Sequence, residues 1–234
     1  MLSALLNIVF PPVCALCETD IADGVFCLKC NDKFSDLKIT APICRSCGMP
    51  FTNSLGPDHT CGKCLTEKMP FKEARSALFY DKCVVEAVHG FKYHGKVILA
   101  APLGRLTSQA ALFSSRPDVI VPVPLHKKRL RMRGFNQSLL LANEISKNLS
   151  ISVDFKNLTR IRHTEQQINL TAQEREKNVS GAFEIVDKAA FKAKKVLLVD
   201  DVYTTGATIK ECSKVLKKAG AEIFALTLAR AAMV

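Results

Sequence analysis

The chain has 234 residues, no tryptophan and only 7% aromatic residues. Stacking on aromatic rings, one means of gripping unpaired nucleic-acid bases, therefore has little to draw on, whereas contact with a backbone of phosphates does not need it. Acids are scarce too: 22 Asp and Glu face 33 Lys and Arg, a formal net charge of +11 at pH 7. That excess favours anionic partners, whether phosphates, nucleic acid or acidic lipid, and does not choose among them. No run approaches the roughly 20 apolar residues that span a bilayer, so no transmembrane segment is predicted. The opening MLSALLNIVFPP lacks the basic start and small-residue cleavage site of an export signal, and reads as a short packing helix. The G-x-x-x-x-G-K-[ST] loop of nucleoside triphosphatases is also missing.

What is present begins with cysteine. Eight of the ten cysteines fall in four C-x-x-C pairs, the spacing of metal knuckles, in which a tight turn aims two sulfurs at one ion. Cys14, Cys17, Cys27 and Cys30 form one quartet; Cys44, Cys47, Cys61 and Cys64 form a second. Each predicts a structural Zn²⁺ site, giving one or two ions per chain, with ligand pairing left open between sequential and interleaved. Disulfides are the competing reading, but knuckle spacing favours metal, and the cytoplasm is the expected compartment. His59, two residues before Cys61, is a substitute ligand only if a cysteine is unavailable. Cys83 and Cys212 stand apart and read as ordinary thiols.

The composition shifts near residue 72. Residues 1–72 are expected to form a double zinc ribbon with a short N-terminal helix, and residues 73–234 a larger α/β domain with its own core. Within the latter, Asp118–Leu125 reads as a buried strand, Gly134–Leu149 as a helix, and Val196–Val199 as a strand ending in two aspartates. A helix follows that is stopped by Gly220, then a final strand over Ile223–Ala229. Residues 157–181 are polar and weakly periodic, as in a long loop.

The most informative segment is VLLVDDVYTTGAT at 196–208. A strand delivers Asp200 and Asp201 to its carboxyl end, where ligands bind in open α/β sheets. The Thr-Thr-Gly-Ala-Thr turn then opens a helix, so backbone N–H groups, hydroxyls and the helix dipole converge on an anion such as a phosphate monoester. Two carboxylates beside it suit ribose hydroxyls, directly or through a magnesium shell.

This segment resembles the phosphoribosyl pyrophosphate signature of type I phosphoribosyltransferases. The resemblance implies a parallel sheet flanked by helices, with Asp200 and Asp201 on the ribose hydroxyls and Val202, Tyr203, Thr204, Thr205, Gly206, Ala207 and Thr208 around the 5′-phosphate, and magnesium bound with the ligand. Further motifs narrow it: F-K-Y-H-G at 91–95, V-P-V-P-L-H at 121–126, R-G-F-N-Q at 133–137, R-x-R-x-T-x-x-Q at 160–167 and L-x-x-x-x-R-x-x-N-V at 170–179. With the cysteine quartets, they make the chain similar to the ComF (competence protein F) family. That resemblance implies a pyrophosphate loop at Pro124, Leu125, His126 and Lys127, catalytic roles for Arg133 and Arg175 beside the aspartates, and a flexible loop over 157–181 whose Arg160, Arg162, Arg175 and Lys177 close over pyrophosphate. His126 is a candidate general base, but a lone His beside prolines is more often a positioning or capping residue. The acceptor of a transferred phosphoribosyl group is not readable.

The resemblance also implies a part in natural transformation, with single-stranded DNA and a competence helicase as partners. Between residues 127 and 162 nine Lys or Arg face two acids, and Lys127, Lys128, Arg129, Arg131 and Arg133 offer a track for a DNA backbone. Two functions of different class thus stand together: a phosphoribosyltransferase, and a non-catalytic DNA-binding and partner-docking module that keeps the old site as a sensor or relic. Arg129, Arg131 and Arg133 alternate, so on a helix they cannot all face one way.

Overall fold

A computed structural model describes residues 11–52, 56–164 and 171–231. The packing helix expected at the start, Gln167 and Leu170 of the two loop motifs, and the middle of the 157–181 loop lie outside the described residues.

Each cysteine quartet is built the same way. A tight turn carries the first pair, and the second pair opens a helix: α1 (Leu28–Asp36) after Cys27 and α2 (Gly62–Thr66) after Cys61. Gly48 ends the turn that follows Cys47 with φ +69, and a Cβ there would meet Ala74 O at 2.3 Å. Only glycine satisfies both demands.

Beyond the ribbons come β1 (Glu73–Phe79), α3 (Lys82–Tyr93), α4 (Ala100–Gln109), β2 (Val119–Pro122), α5 (Lys127–Arg133) and α6 (Gln137–Leu149). The short β3 (Leu158–Arg160), α7 (Ala172–Val179) and β4 (Phe183–Ile185) follow, then β5 (Lys195–Tyr203), α8 (Ala207–Lys218) and β6 (Glu222–Arg230). β1, β6, β5 and β2 form, in that order, a sheet paired parallel throughout, while β3 and β4 pair antiparallel on their own. This is the expected parallel sheet flanked by helices.

Three boundaries differ from expectation. β5 does not stop before the aspartates but carries them in its ladder as far as Tyr203, because Asp200 pairs with Thr227 and Tyr203 with Arg230 of β6. The helix expected from Gly134 starts at Gln137, capped by Asn136, whose side chain accepts from Ser138 N–H. Gly134 instead closes α5 in the left-handed conformation at φ +83, a conformation glycine adopts without steric cost. The stretch 157–181, expected as loop, contains β3 and also α7, which begins with a Thr171/Glu174 capping box.

The expectation of separate cores fails. Strand side chains alternate between faces, so Leu197 and Val199 enter one core and Val196 and Leu198 the other. The first core holds α3, α4 and α6 together with Cys14, Phe26, Cys30 and Phe34 of the first ribbon. The second holds α8 and the β3–β4 pair together with Cys44, Cys47, Met69 and Phe71 of the second ribbon. A knuckle of some thirty residues has too little apolar material for a core of its own, and each ribbon borrows one face of the sheet. Among the described residues no helix is long and apolar enough to cross a membrane.

Candidate functional site

The carboxyl ends of β2 and β5 open onto a cavity of about 750 Å³. Asp200, Asp201 and Val202 from β5 line it, with Thr204 and Thr208 from the turn and first residues of α8. Gly206 N-caps α8 at φ +78 and has no side chain with which to cap that helix. Its amino end therefore supplies the N–H groups and positive dipole an anion needs, next to the two threonine hydroxyls.

The acids are not equivalent. Asp200 Oδ1 accepts from Ser138 Oγ at 2.9 Å and from the Asp201 N–H at 2.9 Å. Burial, reinforced by the charge of Asp201, pushes its carboxyl up to about 7. Asp201 Oδ1 stands 2.8 Å from Lys92 Nζ of α3, while its buried Oδ2 has no hydrogen-bond partner among the described residues. A buried acceptor left empty costs stability until a donor arrives, and a sugar hydroxyl is such a donor. Burial, the largest single influence, pulls the Lys92 ammonium down, but the charge and hydrogen bond of Asp201 together with the charge of Asp200 outweigh it and hold Lys92 above the ordinary lysine range.

The opposite wall is cationic. Arg160 is only 9% exposed. Its guanidinium bonds the Thr164 hydroxyl, lies 5.2 Å from the Phe183 ring centre, and keeps a buried Nε that has no partner among the described residues. Arg129 donates to Thr164 O at 3.0 Å. Burial works against the charge of both, with Arg133 adding to the effect on Arg129 and Arg129 to that on Arg160. Among the described residues neither pairs with a carboxylate, so this wall is complete only with an anion. Lys128, Arg133 and Arg175 line the same cavity; Arg133 bonds Gln137 Oε1 at 2.5 Å and lies over Tyr93.

Of the residues singled out in the sequence, Leu125 also reaches the cavity, whereas Pro124, His126, Lys127 and Arg131 are absent from its lining. His126 Nδ1 instead accepts from Lys128 N–H at 3.3 Å and caps α5, the capping alternative. Thr205, Gly206 and Ala207 are likewise absent from the lining: Thr205 Oγ1 accepts from Ala207 N–H at 3.4 Å, a support for the turn. The Tyr203 ring is buried beneath Arg230 and turned from the cavity. α5 places Arg129 and Arg133 on one face toward the cavity and leaves Arg131 exposed, as alternation required.

Sequence reading passed over Lys92, Ser138 and Arg230. Lys92 lay inside the F-K-Y-H-G motif without a role, and Ser138 follows R-G-F-N-Q directly. Arg230, at the end of an apolar strand, gave no signal beyond being a charge in an apolar run.

In each cysteine quartet the four sulfurs lie within 4.8 Å of one another. Four thiolates about 2.3 Å from a tetrahedral zinc are separated by ~3.8 Å, and the Cys17–Cys27 and Cys47–Cys61 sulfurs stand 3.6 and 3.8 Å apart. Burial raises the Cys44 thiol, but N–H groups of Cys61 and Cys47 directed at its sulfur bring it down to about 7. Both quartets fit structural zinc. His59 is in neither; it stacks on Phe51 at 3.8 Å.

Residues 5–65 match the double zinc ribbon domain family and residues 136–232 the phosphoribosyl transferase domain family. The DNA utilization protein YhgH of Salmonella typhimurium is 32% identical over 90% of this chain and 93% of its own length. Competence protein F of Haemophilus influenzae is 33% identical over 86% of this chain and 88% of its own. Competence protein ComFC of Bacillus subtilis is 25% identical over 93% and 95%.

Proposed function

We propose, from the premise that this chain belongs to the competence protein F family, that its cavity binds phosphoribosyl pyrophosphate with magnesium and that the protein acts in DNA uptake. The observation that carries the reading is the opposition across one cavity of an acid pair with an empty buried acceptor, Asp201 Oδ2, and an acid-free arginine pair, Arg129 and Arg160. Ribose hydroxyls suit the first and a pyrophosphate suits the second, with the 5′-phosphate at the amino end of α8 between Thr204 and Thr208. Magnesium, when bound with the ligand, neutralises phosphate charge.

In a transfer reaction the bond from the anomeric carbon to the pyrophosphate oxygen breaks with its electron pair leaving on pyrophosphate, and a bond to an acceptor nucleophile forms. Arg129, Arg160 and Lys128 then receive the departing charge, and Asp200 and Asp201 hold the ribose while positive charge develops at carbon. The acceptor follows from neither sequence nor cavity. In a second reading the ligand is sensed and not transferred, and the protein works as a DNA-binding and partner-docking module. Exposed Lys127 and Arg131, outside the cavity, and Lys128 at its edge form a track for single-stranded DNA along α5. A competence helicase is the partner, and the cytoplasm the compartment, that the family implies.

Calorimetry on zinc-loaded protein with magnesium and phosphoribosyl pyrophosphate tests this. Wild type is expected to bind in competition with ribose 5-phosphate, and Asp200→Asn with Asp201→Asn to lose ribose recognition while retaining inorganic phosphate. Absence of heat at millimolar ligand sinks the reading.

A further inference from the structure

Arg230 is buried to 3% exposure at the end of β6, and among the described residues it pairs with no carboxylate. A guanidinium in that position needs an anion. Its Nη1 donates to Cys47 O at 2.8 Å, and its Nη2 stands 3.9 Å from Cys47 Sγ. Four thiolates around one divalent zinc leave the second ribbon with two net negative charges, and that centre is the only anion Arg230 touches among the described residues. Its other side lies 4.3 Å over the ring of Tyr203. The Tyr203 ring in turn supports the phosphate turn: a Cβ built on Gly206 would fall 2.4 Å from Tyr203 Oη. A continuous stack therefore runs from Cys47 through Arg230 and Tyr203 to Gly206, the residue that sets the amino end of α8.

A second connection runs beside it. Lys210, buried one turn into α8, pairs with Glu67 at the end of the second ribbon at 2.5 Å and with Glu176 of α7 at 3.4 Å. The helix that presents the anion site is thus tied to the second ribbon at its cap and one turn later.

We infer that Arg230 is a positioning residue through which the metal-loaded second ribbon holds the phosphate turn in its binding shape. The inference rests on the reading of that turn as a 5′-phosphate site. Without the zinc–thiolate charge, Arg230 loses its anion and Tyr203 its lid, and the turn above them loses its support. The second zinc then sets ligand affinity as well as local stability.

The test uses the full chain and ribose 5-phosphate as probe. Arg230→Lys keeps the charge but cannot both bond Cys47 O and stack on Tyr203, and is expected to weaken ribose 5-phosphate binding on the order of tenfold at unchanged zinc content. To remain decisive should that variant fold poorly, wild type is loaded with cadmium, a spectroscopic substitute for zinc, and followed by cadmium NMR, the first-ribbon resonance being assigned with Cys17→Ser. Saturation with ribose 5-phosphate is expected to shift the second-ribbon resonance. A folded Arg230→Lys that binds like wild type, or a second-ribbon resonance that stays in place at saturation, overturns the inference and leaves the phosphate site standing. A wild type that takes up no ribose 5-phosphate overturns the site and the inference together.

Discussion

Lys92 Nζ stands 2.8 Å from Asp201 Oδ1, which places a lysine from α3 against the acid pair at the end of β5. Removing one partner of a buried pair strands the other. Lys92→Met is therefore expected to destabilise the fold by about 3 kcal/mol. Adding Asp201→Asn should recover much of the loss, since the stranded charge goes with it. Urea unfolding of the two singles and the double measures the coupling; strictly additive losses would show that the pair does not interact.

Asp200 gives a pH signature. Its folded pKa, pushed up to about 7 by burial and then by Asp201, lies above the unfolded carboxylate value of about 4. The stability linked to this group is fully present below the lower value and is lost as pH rises through the upper one. Ligand affinity runs the opposite way, because a ribose hydroxyl donates to the ionised carboxylate. Calorimetry across neutrality should show tighter phosphoribosyl pyrophosphate binding as pH rises, with the step removed in Asp200→Asn.

Metal loss should be felt throughout the chain. Cys14 and Phe34 share a core with Leu197, and Cys47 and Phe71 share one with Leu198, so chelation is expected to lower a single melting transition and not to release a ribbon from an intact sheet. Calorimetric scanning of zinc-loaded protein, in which elemental analysis is expected to approach two ions per chain, checks this. Two resolved transitions after chelation would contradict the shared cores.

α5 separates two roles by face. Lys127, Lys128 and Arg131 are exposed, whereas Arg129 is half-buried and tied to Thr164 O. Neutralising Lys127 and Arg131, which stay clear of the cavity, should flatten the salt dependence of single-stranded DNA binding by about 1.4 in log–log slope. Arg129→Ala should leave that slope close to wild type and weaken phosphoribosyl pyrophosphate. Filter binding over a salt series, beside calorimetry, distinguishes the two.

Gly206→Val is expected to abolish binding of every 5′-phosphate ligand. It forces a β-branched residue to φ +78 and drives Cβ into the Tyr203 ring. Phosphorus NMR titration with ribose 5-phosphate reads the loss; binding by the variant would place the phosphate elsewhere.

The parts legible in the sequence are those fixed by local chemistry. C-x-x-C spacing announces its metal, and a strand ending in Asp200 and Asp201 before Thr204–Thr208 announces an anion beside a sugar, because the groups that do the work are neighbours in the chain. What could not be read depends on separation. Lys92 meets Asp201, Ser138 meets Asp200 and Cys47 meets Arg230 only after the sheet has closed. The ribbons' cysteines proclaimed a module, whereas the aromatic residues that bind it to the sheet, Phe34 and Phe71, look in sequence like any other phenylalanine.

The order of the strands bears on how the molecule is made. Among the described strands β1 pairs in the sheet only with β6, Glu73 facing Phe224 and Phe79 facing Arg230. On the ribosome the ribbons emerge first and can take up metal while the chain is still growing, yet the edge of β1 must wait for the last-made strand. Contacts so distant in sequence close slowly, and until they do Phe34 and Phe71 have no sheet to lie against. Early metal capture would keep the nascent ribbons compact through the interval before β6 arrives, when an incompletely paired sheet is most open to aggregation.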